Sequence, residues 1–134
     1  MKKTLEVVGA VIVDGNKILA VKRGANKNPK VAYKYEFAGG KVEQGESKEQ
    51  ALVRELKEEM DCDIQPIKEF CDVLHEYDDV FVHLTVFVCQ ALSGFTLKEH
   101  IDSKWLTKDE LFSVEWAEAD YSILTKLQEA KSEF

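Results

Sequence analysis

Runs of apolar residues separated by short turns predict a strand-rich chain. Leu5–Val13 is apolar on both faces, as a central strand is, and Lys17–Val21 follows it after the turn at Asp14-Gly15-Asn16. Two longer runs, Ile64–Tyr77 and Phe81–Ala91, are joined across a polar turn and predict a second pair of strands. Two short strands are also predicted, one at Tyr35–Ala38 and one that ends with Trp105-Leu106. Gly24–Lys34 is predicted to be a long loop.

Two segments carry the helical spacing of apolar residues. The first is Ser47–Met60, where Ser47 is a good N-cap and Gln50 completes a capping box. The second is Ala119–Lys131, preceded by a short helix that Thr107 caps and that ends at Phe112. The inward positions are Ala51, Leu52, Leu56 and Met60 in the first helix and Ile123, Leu124 and Leu127 in the last one. Mixed strands with helices on both sides predict an α/β fold, an α/β/α sandwich, as one domain over residues 1–134.

Composition narrows the classes of function. A net charge of −7 over 134 residues argues against general binding of nucleic-acid polymers. No apolar stretch approaches the roughly 20 residues that span a bilayer, which predicts no membrane partner. Cys62, Cys71 and Cys89 are odd in number and lack CxxC spacing, so they predict neither a disulfide framework nor a zinc site and fit a reducing, cytoplasmic compartment.

Positive charge is concentrated in one segment. Residues 15–35 contain no acidic residue and carry Lys17, Lys22, Arg23, Lys27, Lys30 and Lys34. Such a segment suits a phosphorylated small molecule, with an ordinary lysine-rich surface loop as the alternative. Arg23, at the end of a predicted strand, is the candidate for phosphate contact because a guanidinium can bind phosphate bidentately.

Three carboxylates fall on one stripe of the first helix. Glu55, Glu58 and Glu59 are spaced i, i+3 and i+4, so they are neighbours on the helix surface. At ~4 Å and an effective dielectric constant of ~20, each close pair repels by roughly 4 kcal/mol. A hard cation such as Mg²⁺ would relieve this repulsion, and a solvated acidic face is the alternative interpretation.

The residues around the stripe favour the cation. From Gly40 to Cys62 the sequence resembles the Nudix box, G-x5-E-x7-R-E-U-x-E-E-x-G-U, where U is aliphatic. The positions that match are Gly40, Glu46, Arg54, Glu55, Leu56, Glu58 and Glu59. Asp61 stands where the family has glycine, and Asp tolerates the left-handed backbone expected there. Cys62 replaces the aliphatic residue and behaves as a small hydrophobe.

The resemblance implies a metal site and its chemistry. It implies Mg²⁺, or Mn²⁺ in its place, bound by Gly39 through its carbonyl and by Glu55, Glu58, Glu59 and Glu99. Glu55 or Glu99 would act as the general base, and Arg54 would orient Glu55 or its neighbours. Glu46 is expected to brace the loop against the helix. His75, His83 and His100 have no metal-ligand spacing and are predicted to pack or to form hydrogen bonds.

Two further segments resemble the substrate pocket of the MutT-like branch, which includes oxidised-dGTP and CTP pyrophosphohydrolases. Tyr35–Lys41 resembles its (W/L)-E-F-(A/P)-G-G-K strand, which places Phe37 near the base and Lys41 near phosphate. Asp120 stands where that branch has a polar residue that reads the base edge, and Asp is also a good helix N-cap. An ionised Asp120 would only accept hydrogen bonds, which favours N–H donors on cytosine or guanine.

The resemblance therefore predicts a magnesium-dependent nucleoside triphosphate pyrophosphohydrolase, a monomer or homodimer acting on 8-oxo-dGTP or on CTP or dCTP. The alternative is a catalytically idle Nudix domain that binds nucleotide as a regulatory module. The complete set of glutamates on the motif opposes that alternative. The sequence leaves the physiological nucleotide, the identity of the base and the oligomeric state open.

Overall fold

The sheet is organised around its first strand. The computed structural model describes residues 2–130, and the strands in this part are β1 (Lys3–Asp14), β2 (Lys17–Lys22), β3 (Tyr35–Glu36), β4 (Gly39–Lys41), β5 (Ile64–Glu76), β6 (Val80–Ala91) and β7 (Asp102–Thr107). They are ordered β3-β2-β1-β6-β5, with β4 on β1 and β7 on β2. Of the six pairings between these strands within residues 2–130, only that of β1 with β6 is parallel, so the sheet is mixed.

Helices cover both faces of this sheet, which confirms the α/β/α sandwich. Helix α1 (Lys48–Met60) buries its apolar side against alternate residues of β1, including Val8 and Ala10. Helix α2 (Tyr121–Glu129) packs on the opposite face, against a cluster that includes Val11. The side chains predicted to point inward from the two helices are all buried. Neither helix within residues 2–130 has the length and apolar character needed to cross a bilayer.

Three predicted boundaries are corrected. Tyr35–Ala38 is not one strand, because residues 35–36 pair with β2 whereas residues 39–41 pair with β1. The last helix begins at Tyr121 after a 3-10 turn at Glu118–Asp120 and ends at Glu129, with Lys131 outside the described residues. The short helix before it is a 3-10 helix at Lys108–Ser113. The predicted strand is divided because the residues after Ala38 pair with β1. Gly39 lies so close to β1 that a Cβ there would meet the Val8 carbonyl oxygen at 1.9 Å.

The start of α1 follows from local sequence. The Ser47 hydroxyl accepts from the Gln50 backbone N–H at 3.1 Å, and the Gln50 side chain accepts from the Ser47 N–H at 2.9 Å. This is the predicted capping box, which satisfies two donors that a helix start otherwise leaves free. The helix ends at Met60, and its C-cap Asp61 adopts the left-handed conformation with φ 49° and ψ 39°.

Replacing Asp61 with Gly is expected to stabilise the protein. Glycine adopts this conformation without the steric cost of a Cβ, but it loses more conformational entropy on folding. With both effects counted, the free energy of unfolding should rise by roughly 0.5–1 kcal/mol. Chemical denaturation measures the change, and Asp61→Ala, which keeps the Cβ, is the control and should destabilise. A lower free energy of unfolding for Asp61→Gly would show that the exposed Lys57–Asp61 ion pair outweighs backbone strain.

Candidate functional site

One arginine organises the acidic stripe of α1. The Arg54 Nε and Nη2 groups donate to the two carboxylate oxygens of Glu46 at 2.7 and 3.0 Å. Its Nη1 donates to Glu55 at 2.9 Å and to Glu58 at 3.2 Å, and Nη2 also donates to the Lys41 carbonyl at 3.0 Å. Bonding to Arg54 holds the pKa of Glu46 below its usual value. Arg54 thus ties the loop after β4 to the helix and offsets part of the repulsion along the stripe.

Gly40 makes room for Glu55. A Cβ at this position would lie 2.1 Å from Glu55 Oε2, so the carboxylate rests directly against the glycine backbone. The carboxylate is held between Gly40 and Arg54, with its side chain 17% exposed. The motif glycine is therefore required for the position of a neighbouring acid.

Glu59 is the most perturbed carboxyl of the stripe. Burial, followed by the charges of Glu36, Glu55 and Glu99, raises its pKa to about 8, and a hydrogen bond from the Gly39 N–H opposes the shift. Its Oε1 is buried and has no hydrogen-bond partner within residues 2–130. A buried carboxylate oxygen without a donor, facing other carboxylates, is the arrangement that a bound cation would complete.

The donor set fits a hard divalent cation. The side chains whose charges raise the pKa of Glu59 are all glutamates: Glu36, Glu55 and Glu99. They offer carboxylate oxygens, which hard cations prefer. Within the described part of the chain, no three His, Cys, Asp or Glu side chains already form a closed ligand cluster. Mg²⁺ does not require one, because it keeps several waters and takes ligands from substrate phosphates.

Two adjoining cavities of about 280 Å³ each lie beside these carboxylates. The first, the acidic pocket, is lined by Arg23, Gly24, Ala25, Asn26, Glu36, Glu59, Glu99 and His100. The second, the apolar pocket, is lined chiefly by Val7, Val8, Phe37, Tyr77, Val82, Leu84, Ala117 and Asp120. Arg23 and Glu36 line both and form an ion pair at 3.0 Å, so they mark the boundary between the two.

Asp120 is buried in the wall of the apolar pocket. It is 5% exposed, and burial followed by the negative charge of Glu36 raises its pKa well above the usual value, with Arg23 opposing the shift. Its side chain makes no capping hydrogen bond to α2, so the capping role considered from sequence is not realised. This shift favours the protonated carboxyl, which both donates and accepts a hydrogen bond, whereas an ionised one only accepts.

Phe37 forms the aromatic part of the same wall. It is buried, and its ring centroid lies 4.9 Å from that of Trp116. The Trp116 indole N–H donates to the Leu111 carbonyl at 2.6 Å, so Trp116 is a core residue that supports Phe37 from behind.

The structure brings together most residues selected from sequence. Glu59 lines the acidic pocket from α1, and Glu99 lines it from the loop before β7. Arg54 bonds Glu55 and Glu58 on the same helix. Gly39, Phe37 and Asp120 line the apolar pocket, and Arg23 lines both pockets. Lys41 is exposed and lines neither pocket, and its contact with phosphate stays a prediction.

Two residues at the site carried no predicted role there: Glu36 and His100. The available signal for Glu36 was a charge inside a predicted strand, between Tyr35 and Phe37.

The histidines do form hydrogen bonds as predicted: His75 bonds Glu118, His83 bonds Glu6 and Asp72, and His100 bonds Glu36.

Comparisons with known proteins agree with this fold. The family model of the NUDIX domain matches residues 3–127. The chain is 32% identical over 129 residues to the 8-oxo-dGTP diphosphatase of Escherichia coli K12, which covers 96% of this chain and 98% of that protein. It is 36% identical over 124 residues to the CTP pyrophosphohydrolase of the same organism, covering 91% and 90% of the two chains. The solution structure of the E. coli ORF135 protein superposes with a TM-score of 0.83 at 32% identity, covering 94% of this chain and 89% of that one.

Proposed function

Because the chain belongs to the NUDIX family, we propose that it is a hydrolase of nucleoside triphosphates that requires a divalent cation and releases a nucleoside monophosphate and pyrophosphate. The observation that carries this proposal is the unpartnered carboxylate oxygen of Glu59, which lies at a pocket adjoining a second one lined by Phe37 and Asp120. The acidic pocket suits a metal–phosphate group, and the apolar pocket suits a nucleobase.

The cation would be Mg²⁺, with Mn²⁺ as a substitute. The residues that would hold it are Gly39, through its carbonyl, and Glu55, Glu58, Glu59 and Glu99. When bound, it supplies the positive charge that neutralises the phosphates and polarises the bond to be cleaved. Arg54 keeps Glu55 and Glu58 oriented before the substrate arrives.

Other side chains of the protein bind the phosphates and take up the proton. Arg23, at the boundary of the two pockets, binds a phosphate oxygen. Glu55 or Glu99 takes the proton from the attacking water. Glu55 is fixed by Arg54 and Gly40, whereas Glu99 is an exposed residue in the lining of the acidic pocket.

Asp120 selects the nucleobase through its hydrogen bonds. A neutral carboxyl pairs with an edge that presents a donor beside an acceptor. Cytosine offers its amine beside N3, and the Hoogsteen edge of guanine oxidised at C8 offers N7–H beside O6, whereas on the Hoogsteen edge of ordinary guanine N7 and O6 are both acceptors. The substrates named for the two E. coli relatives, 8-oxo-dGTP and CTP, share this donor–acceptor edge.

A turnover screen tests the proposal and its substrate class. We expect Mg²⁺-dependent release of pyrophosphate, without phosphate, from 8-oxo-dGTP, CTP or dCTP in a panel that includes dGTP and UTP. Binding of nucleotide without turnover of any member would instead favour the idle nucleotide-binding module.

Substitution of Asp120 tests whether the neutral or the ionised carboxyl recognises the base. Asp120→Ala is expected to reduce the preference for 8-oxo-dGTP over dGTP, measured as a ratio of kcat/KM, by about 10–100-fold because the paired donor is lost. Asp120→Asn, an uncharged side chain that also donates and accepts, should keep most of it. An Asn variant as indiscriminate as the Ala variant would show that the ionised carboxylate reads the base.

The cytoplasm is the proposed compartment. The thiols of Cys62, Cys71 and Cys89 are free, and burial raises the pKa of Cys89 to about 12. Free thiols of low reactivity fit a reducing environment.

A further inference from the structure

The carboxylate of Glu36 is shared between a surface cation and a buried histidine. Its Oε1 accepts from Arg23 Nε at 3.0 Å, and its Oε2 lies 2.9 Å from His100 Nε2. Because a carboxylate paired with a guanidinium accepts hydrogen bonds, Nε2 of His100 carries the proton of this contact. The three side chains therefore form a chain, His100–Glu36–Arg23, that runs from the protein interior to the boundary of the two pockets.

The inner end of this chain is fixed much more firmly than the outer end. The His100 side chain is 3% exposed, whereas that of Arg23 is 43% exposed. The backbone beside His100 is held on both sides, since the Lys98 N–H donates to the Glu59 carbonyl at 3.3 Å and the Ile101 N–H donates to the Lys22 carbonyl at 2.9 Å. His100 thus has a defined position relative to α1 and β2.

Arg23 alone lacks such support. An exposed ion pair holds a long side chain weakly, because solvent screens the attraction and fixing the chain costs rotamer entropy. If Glu36 were free to rotate, Arg23 would move with it and its guanidinium would leave the pocket boundary. A buried donor on the second oxygen of Glu36 removes that freedom.

We propose that His100 is a positioning residue, whose Nε2–H fixes the Glu36 carboxylate so that Glu36 in turn directs Arg23 towards the phosphates of the bound nucleotide. The link between the three side chains stands on geometry alone, and its consequence for substrate rests on the proposed function. His100 itself does not contact the reacting atoms in this scheme.

Nuclear magnetic resonance tests the link without any substrate. The chain contains two arginines, Arg23 and Arg54, so two side-chain Nε–H signals are expected. In His100→Asn, whose amide is too short to reach Glu36, the Arg23 signal should shift and exchange faster with solvent. In His100→Gln, whose amide nitrogen can take the place of Nε2, it should stay near its original position. Arg54, bonded to Glu46, is the internal control and should not change.

Kinetics test the consequence. His100→Asn is expected to raise KM for CTP or 8-oxo-dGTP about tenfold with kcat changed less than about threefold, because an arginine that binds phosphate throughout the reaction contributes uniform binding. His100→Gln should restore most of the KM. A purely structural role would lower the melting temperature and the active fraction, and so kcat, without raising KM.

Each outcome decides between the alternatives. An unchanged Arg23 signal in His100→Asn overturns the link, and a shifted signal with unchanged KM overturns its role in substrate binding. Should the Asn variant fail to fold, the link is tested in Glu36→Ala, where loss of a slowly exchanging His100 Nε2–H signal is expected and its persistence overturns the proposal. Absence of turnover in the unsubstituted protein would reject the proposed function while the Arg23 signal still reports on the link.

Discussion

Glu59→Gln is expected to lower kcat/KM by at least about 10²-fold while the protein stays folded. Glu59 offers the buried oxygen that no donor within residues 2–130 reaches, and the proposed cation site is built around it. The cation supplies several kcal/mol of charge stabilisation, and each 1.36 kcal/mol corresponds to a factor of ten in rate. Steady-state kinetics at saturating Mg²⁺ measure the loss. Glu49→Gln, on the exposed first turn of the same helix, is the matched control and should retain activity.

The same variant should be more stable than the unsubstituted protein when metal is removed. The pKa of Glu59 is about 8 in the folded chain, against 4.5 for an unperturbed glutamate, so the folded state holds the proton more tightly than the unfolded state does. The contribution of Glu59 to stability is therefore fully present below about pH 4.5 and is lost as the pH rises through about 8. Glu59→Gln removes this loss, and the gain should be larger at pH 9 than at pH 5.

Chemical denaturation in the presence of a chelator measures this difference. Addition of Mg²⁺ should stabilise the unsubstituted protein but not the variant, because a ligand that binds only the folded state raises the free energy of unfolding. A Glu59→Gln protein that folds normally, keeps near-native turnover and responds to Mg²⁺ would overturn the assignment of Glu59 as a ligand.

The second large effect concerns the general base. Glu55→Gln is expected to lower kcat by about 10²–10⁴-fold while KM changes little, because a base acts mainly in the transition state. The fold should be retained, since a glutamine carbonyl can still accept from Arg54 Nη1 as Glu55 does at 2.9 Å. The measurement is kcat as a function of pH at saturating metal and substrate.

Glu99→Gln is the paired variant that decides the assignment. A base must be deprotonated, so its loss removes the fall of kcat on the acid side of the pH profile. If Glu99→Gln has the larger effect and loses that limb, whereas Glu55→Gln keeps it, the base is Glu99. Comparable retention of kcat in both variants would exclude both residues.

Helix α1 shows why part of this site could be predicted from sequence. Its capping box, its buried face and its left-handed end at Asp61 depend on residues within a few positions of one another. The carboxylate stripe follows from the same helical spacing, so Glu55, Glu58 and Glu59 were placed together correctly. Short-range rules are sufficient wherever the partners lie on one element.

The rest depends on contacts between distant segments. Glu36 and His100 are 64 residues apart and meet only because both lie beside the end of β2. The raised pKa of Asp120 could not be predicted for the same reason, since its burial and the nearby Glu36 arise from tertiary packing. The division of residues 35–41 into two strands also follows from pairing with β2 and β1, which no local pattern encodes.

The products of metal-dependent turnover test the central claim most directly. The protein is freed of metal with a chelator, incubated with CTP or 8-oxo-dGTP, and then given Mg²⁺, while monophosphate, pyrophosphate and phosphate are measured separately. The account predicts no turnover before Mg²⁺ is added, and afterwards one pyrophosphate for each nucleoside monophosphate. Turnover in the chelator, release of phosphate with a nucleoside diphosphate, or no turnover of either nucleotide after Mg²⁺ is added would contradict it.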